Sequence, residues 1–224
     1  MKVFFKIVLL FLVFGYSSLN VIAQDQHPPF WDEIQAFKKQ DAANPAPKNA
    51  ILFVGSSSFR MWADVQNAFP GYTIINRGFG GSGLPDLIRY TDDVIVPYRP
   101  KQILIYCGDN DLASSDTITA QMVVDRFKTL FTNIRKKLDN VPIAYVSIKP
   151  SPSRVKLMPK MMQANNMIKD YLTKKNKTAF IDVYHAMVDA DNKPMPDIFK
   201  EDNLHMNAKG YAIWQKTIEP YLIK

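Results

Sequence analysis

Three consecutive serines, Ser56, Ser57 and Ser58, follow Gly55 directly after an apolar run at 50–54. A hydroxyl at such a turn becomes a nucleophile when an imidazole takes its proton, and backbone amides at the start of a following helix can hold the resulting anion. The histidines are His27, His185 and His205. His27 lies in a Pro-rich approach to the first helix, and His185 follows the last strand-like run without an acid partner in an evident motif. His205 has one. Asp202 stands three residues earlier, so in a turn its carboxylate can bond one ring nitrogen and leave the other for a serine proton. Serines also cap helices and Asp-His pairs also decorate surfaces, so neither motif decides alone.

Two further segments carry candidate donors. Asn76-Arg77-Gly78-Phe79-Gly80-Gly81-Ser82-Gly83 is glycine-rich, but it lacks the Lys-Ser/Thr ending of a phosphate loop and misses the dinucleotide spacing. Its amides can instead line an oxyanion pocket. Cys107-Gly108-Asp109-Asn110-Asp111 offers the Asn110 amide between two acids. Asp109 and Asp111, with Asp202 and His205, would serve a metal-dependent phosphohydrolase, although alternate positions on an extended segment rarely aim at one ion. Cys107, the single cysteine, is expected to be a small buried hydrophobe.

The elements that must position these residues are legible in the apolar pattern. Short β-like runs at 50–54, 72–76, 102–106, 143–147 and 179–183 alternate with helix-period stretches, among them Leu84, Leu87, Ile88 and Val94, and Val123 to Leu138. A helix is expected at 31–40, then an Asn44-Pro45-Ala46-Pro47 linker, and a closing helix at 208–221 with Tyr211, Trp214 and Ile218 on one stripe. Near-continuous apolar strands alternating with helices predict a parallel sheet covered on both faces, a three-layer α/β/α fold. In such sheets sites form beyond the carboxyl ends of the strands, where all the segments above fall.

Residues 1–23 carry Lys2 and Lys6, an apolar run too short to span a bilayer, and Val21-Ile22-Ala23 as a cleavage site. This describes a signal peptide cut after Ala23, giving a periplasmic or secreted protein without a stable membrane anchor. Residues 24–49 are then an N-terminal helix and linker, and 50–224 the main domain. The net charge of +7 falls to +5 once the two lysines leave. The basic residues are spread among acids, without the patch nucleic acid requires. With 47% hydrophobic residues, disorder is excluded.

Taken in order, the segments resemble the SGNH hydrolases, also called GDSL-like lipases or acylhydrolases, over residues 51–214. The family's first block falls on Gly55 to Ser58, with Ser56 where the family has aspartate and Ser57 as the implied nucleophile. Its second falls on Asn76 and Gly81, its third on Gly108 to Asp111, and its Asp-x-x-His block on Asp202 and His205. The resemblance implies a flavodoxin-like five-stranded parallel sheet, a Ser57-His205-Asp202 triad, and an oxyanion hole of the Ser57 and Gly81 amides with the Asn110 side chain. It implies neither cofactor nor metal. The α/β-hydrolase elbow fails, because Phe59 stands where its second glycine belongs.

The expected reaction is hydrolysis of short acyl esters, acetyl above all, on a small molecule or glycan. Alternatives are a lipid or lysophospholipid acylhydrolase and a glycan-binding module without turnover. Trp62, Phe79 and the Lys149-Pro150-Ser151-Pro152-Ser153 loop are candidates to border the pocket.

Overall fold

In the computed structural model residues 27–224 are described, and the expected signal peptide lies outside them. Runs rich in Ile, Val, Phe and Tyr become strands because both faces of the sheet are covered, so side chains on either face find apolar partners. The strands are β1 (Ile51–Gly55), β2 (Ile74–Gly78), β3 (Gln102–Tyr106), β4 (Ile143–Val146) and β5 (Thr178–Ile181). Every pairing is parallel and the order is β2-β1-β3-β4-β5, the flavodoxin-like arrangement.

The helices are α1 (Trp31–Ala43), α2 (Ser57–Arg60), α3 (Val65–Ala68), α4 (Leu84–Arg89), α5 (Thr91–Val94), α6 (Asp109–Ala113), α7 (Ala120–Lys137), α8 (Met158–Leu172) and α9 (Ala208–Ile218). Strand side chains alternate between two cores. Leu52, Val54, Ile103, Ile105 and Tyr145 pack with α4, α7 and α8, while Phe53, Leu104, Tyr106 and Val146 meet Phe59, Trp62, Phe69 and Trp214 on the other face. These are the three layers.

Most boundaries shift by one to three residues from the sequence reading, and two of the shifts have a plain cause. β2 starts two residues later than the 72–76 run and continues through Gly78, because Gly78 pairs with Gly55 and Phe79 N–H donates to the Gly55 carbonyl at 2.9 Å. Asn76 therefore sits inside the strand. The closing helix stops at Ile218 and tightens into a 3-10 turn at Glu219–Tyr221, where Pro220 cannot supply a helical N–H. Asn207 caps α9, its Oδ1 accepting from the Lys209 and Gly210 amides. Among the described residues no helix is long and apolar enough to cross a membrane.

α1 is held to the main body by its own side chains. Ile34 is buried in the first core, Glu33 pairs with Arg60 at 2.7 Å, and Asp41 accepts from the Arg77 guanidinium and, at 2.5 Å, from Tyr98. Arg77 is 7% exposed, donates to Tyr98 at 2.6 Å, and lies over the Phe37 ring at 5.1 Å. A buried guanidinium left without its carboxylate loses charge-assisted hydrogen bonds. Asp41→Ala is therefore expected to lower the free energy of urea unfolding by about 1–3 kcal/mol. Lys38→Ala, which breaks the exposed Lys38–Asp93 pair, should cost under ~1 kcal/mol.

Candidate active site

The carboxyl edge of the sheet carries the site. At the end of β1, Gly55 has φ +145, and a Cβ there would lie 1.9 Å from the Tyr106 carbonyl oxygen. Only glycine fits so close to β3. The backbone then turns directly into α2, with Ser56 N–H donating to the Tyr106 carbonyl at 3.0 Å.

The three serines face different partners. Ser57 Oγ lies 3.0 Å from Nε2 of His205, while Ser56 and Ser58 are buried. Ser56 Oγ instead accepts from the Asn110 amide at 3.1 Å. His205 Nδ1 is 2.6 Å from Asp202 Oδ2. An ionised carboxylate only accepts, so Nδ1 carries the proton and Nε2 is left to accept from Ser57. Partial burial pushes the Asp202 carboxyl up. Hydrogen bonds from the His205 ring, the His205 amide and the Leu204 amide outweigh this and hold it well below the usual carboxylate range.

The donors implied for an oxyanion also gather here. Asn110 Nδ2 donates to Ser56 Oγ and to the Ser82 carbonyl, 3.1 Å each, so it bridges the segments that bear Ser57 and Gly81. Among the described residues nothing accepts from the backbone amides of Ser57 or Gly81. Gly81 has φ +82, and its position for a Cβ faces a Phe30 ring carbon at 4.0 Å. Phe30 itself has φ 67, a left-handed conformation that is strained for a bulky residue. It is fixed by Tyr90 donating to the Pro29 carbonyl at 2.8 Å.

Several expectations are corrected. Asp109 and Asp111 lie on α6, not on an extended segment, and each is matched to an arginine: Asp109 to Arg154 at 3.0 Å and Asp111 to Arg126 at 2.7 Å. Their charges are thereby balanced, and among the described residues no three His, Cys, Asp or Glu side chains gather as a metal cluster would. His185 does have an acid partner: Asp182 Oδ2 lies 2.7 Å from its Nδ1, in the same three-residue spacing as Asp202 and His205. Phe79 is a core residue, 0% exposed, rather than a pocket wall, whereas Trp62, 3% exposed, packs in the core and also forms part of the floor of a groove beside Tyr211. Asn76 works structurally, its amide donating to the Phe59 carbonyl at 2.7 Å and so binding β2 to α2. Cys107, by contrast, is buried as expected, and burial pushes its thiol well up.

The sequence reading missed the role of Lys149. Its side chain is buried, donates to the Leu204 carbonyl at 2.7 Å, and lies 5.5 Å from the centre of the Phe199 ring. It thus holds the turn between Asp202 and His205 from below. Burial lowers the amine to about 8, against the opposing pull of Asp109, and Arg154 lowers it further. The unfolded chain keeps this proton to about pH 10.4. The unfolded state therefore binds more protons between pH 8 and 10, and the group's contribution to stability rises with pH across that window. Measured against Lys149→Met, which cancels the other titrations, the parent should gain on the order of 3 kcal/mol from pH 8 to beyond 10. A flat difference in urea unfolding would contradict this account.

Comparison with known proteins follows the same lines. The structure is similar to a candidate platelet activating factor from Streptococcus pneumonia (TM-score 0.75, 20% identity, 86% of this chain and 92% of that one). It is also similar to a GDSL-like lipase from Bacteroides thetaiotaomicron (TM-score 0.72, 20% identity, 84% and 96%). A variant of an acetyl-xylooligosaccharide esterase from Geobacillus Stearmophilus shares the fold as well (TM-score 0.63, 15% identity, 79% and 95%). No curated protein matches the chain. Residues 21–213 match the model of one family, which spans all five strands and every residue of the site, and the chain belongs to the GDSL-like Lipase/Acylhydrolase family.

Proposed function

We propose that the protein is an exported serine esterase that removes short acyl groups, acetyl above all, from a carbohydrate. The observation that carries this is the unbroken chain from Ser57 Oγ through His205 to Asp202, 3.0 Å and 2.6 Å. Ser57 Oγ attacks the ester carbonyl carbon as its proton passes to His205 Nε2, and Asp202 keeps the ring oriented and balances the imidazolium. The negative oxygen is held by the Ser57 and Gly81 amides and by the Asn110 side chain. Collapse expels the alcohol, which takes the proton from His205, and leaves an acyl group on Ser57. Water then repeats the sequence and releases the carboxylate.

Three points support a short acyl group on a polar substrate. The exposed large apolar side chains among the described residues are Met122, Val155, Tyr221 and Ile223; only Tyr221 and Ile223 lie together, at the amino edge of the sheet opposite Ser57, too few to form a lipid-docking patch. A groove of about 450 Å³, lined by polar Asp64, Asn67 and Lys200 over Trp62 and Tyr211, reaches Met206 and Asn207, which follow His205 in the chain, while Ser57, Gly81, Asn110, Asp202 and His205 themselves do not line it. The Geobacillus structure is named as an esterase of acetylated xylooligosaccharides, which agrees with that polarity.

On p-nitrophenyl acetate, Ser57→Ala is expected to reduce kcat by ~10³-fold or more. Ser56→Ala and Ser58→Ala, lying off the proton path, should stay within about tenfold of the parent. Retained activity in Ser57→Ala removes the assignment. Across acetate, butyrate and octanoate esters kcat/KM should fall with length, whereas a rise would favour a lipid substrate. The N-terminal mass of the exported protein should correspond to a start at Gln24.

A further inference from the structure

An asparagine side chain helps an oxyanion only with its nitrogen end. Rotated by half a turn about its last bond it presents a carbonyl oxygen, which repels the charge it should hold. The two ends are nearly equal in shape, so packing alone cannot choose between them. We propose that Arg154, which belongs to none of the segments that carry the reacting groups, is the positioning residue that fixes Asn110 with its amide hydrogens toward the reacting carbonyl. This rests on the esterase reading above.

Arg154 Nη2 donates to Asn110 Oδ1 at 2.8 Å. A guanidinium has hydrogens and no acceptor, so only the oxygen end of the amide can face it. On the opposite side the Ser82 carbonyl, which can only accept, takes a hydrogen from Nδ2 at 3.1 Å. Arg154 is the partner that holds Oδ1, and it is itself held: its Nη1 lies 3.0 Å from Asp109 Oδ2, with the two side chains 15% and 5% exposed. The position has a second effect. A cation on the amide oxygen draws electron density from the nitrogen and strengthens Nδ2–H as a donor, so positive charge reaches the developing oxyanion through Asn110 without Arg154 touching substrate.

Ser56 completes the arrangement. Where the resemblance expects an aspartate, this chain has a hydroxyl that accepts one Asn110 hydrogen at 3.1 Å. Because that acceptor is neutral, the hydrogen can be redirected to the oxyanion at lower cost than from a carboxylate.

The test is a four-cornered cycle on p-nitrophenyl acetate with the parent, Arg154→Met, Asn110→Ala and the double variant, and Ser57→Ala as the blank. Asn110→Ala should lower kcat by ~10²–10³-fold. Arg154→Met should lower kcat by about tenfold or more with KM little changed, and by under about twofold once Asn110 is gone. An equal loss with and without Asn110, or a change confined to KM, overturns the proposal. Because Arg154→Met strands the Asp109 carboxylate, the cycle is repeated in an Asp109→Asn background, with thermal melting confirming that each corner folds. If the parent shows no turnover dependent on Ser57, the esterase reading fails, and the positioning is then read from the Asn110 side-chain amide signals of ¹⁵N-labelled protein. Those signals should shift or broaden in Asp109→Asn/Arg154→Met relative to Asp109→Asn, and unchanged signals overturn the proposal.

Discussion

A four-residue turn sets a carboxylate and an imidazole, already bonded to each other, against a serine at the far end of the chain's first strand. Its backbone is not part of the sheet, so nothing periodic holds it. Asp202 organises the turn internally by accepting the Leu204 and His205 amides. The rest is supplied from outside: Lys149 bonds the Leu204 carbonyl, Ser153 N–H bonds the Asn203 carbonyl at 3.0 Å, and Lys200 N–H bonds the His205 carbonyl at 2.8 Å. The segment after β4 therefore contributes no reacting group, yet it grips both the turn and, through Arg154, Asn110. Such support from behind is what keeps hydrogen-bond geometry within the few tenths of an ångström that chemistry at a serine demands.

The sheet sets the distances that this segment then refines. Gly55, Gly78 and Tyr106 come into register at the ends of β1, β2 and β3, so the residues that follow begin as neighbours before any side chain is placed. Order in the sheet also explains why only one of two similar pairs meets a serine. Asp182 and His185 have almost the same internal geometry as Asp202 and His205, but they leave β5, three strands from β1. At ~4.8 Å per strand that is ~14 Å across the sheet, beyond an imidazole's reach. The chain has to return towards β1 before a histidine is useful, and the bridge between Phe199 and Met206 marks that return.

Much of this was legible in the residues. The strands and the long helix α7 follow from period and composition; Ser57, Gly81 and Asn110 stand just past strand ends, and Asp202 and His205 well beyond the end of β5, all in family order. What was not legible was long-range or carried no periodic signal. Lys149 looks like any surface lysine, and its burial depends on a carbonyl 55 residues away. Arg154 lies in a 3-10 turn, Pro152–Leu157, too short to have a pattern. Asp109 and Asp111 looked extended because α6 has only five residues. The Asp182–His185 pair has the same spacing as Asp202 and His205, yet its segment resembles no motif, so the sequence reading gives His185 no acid partner.

Lys149 is buried between the charges that act on it: Asp109 and Asp202 favour its protonated form, and Arg154 opposes it. Arg154 and Asp109 are in turn paired with each other. Arg154 and Asp109 are therefore linked, since a neutral residue at either leaves the other's charge buried without its ion-pair partner. Substitution here is therefore constrained to be concerted: a neutral side chain in place of the arginine is tolerated best when its acid is neutralised with it.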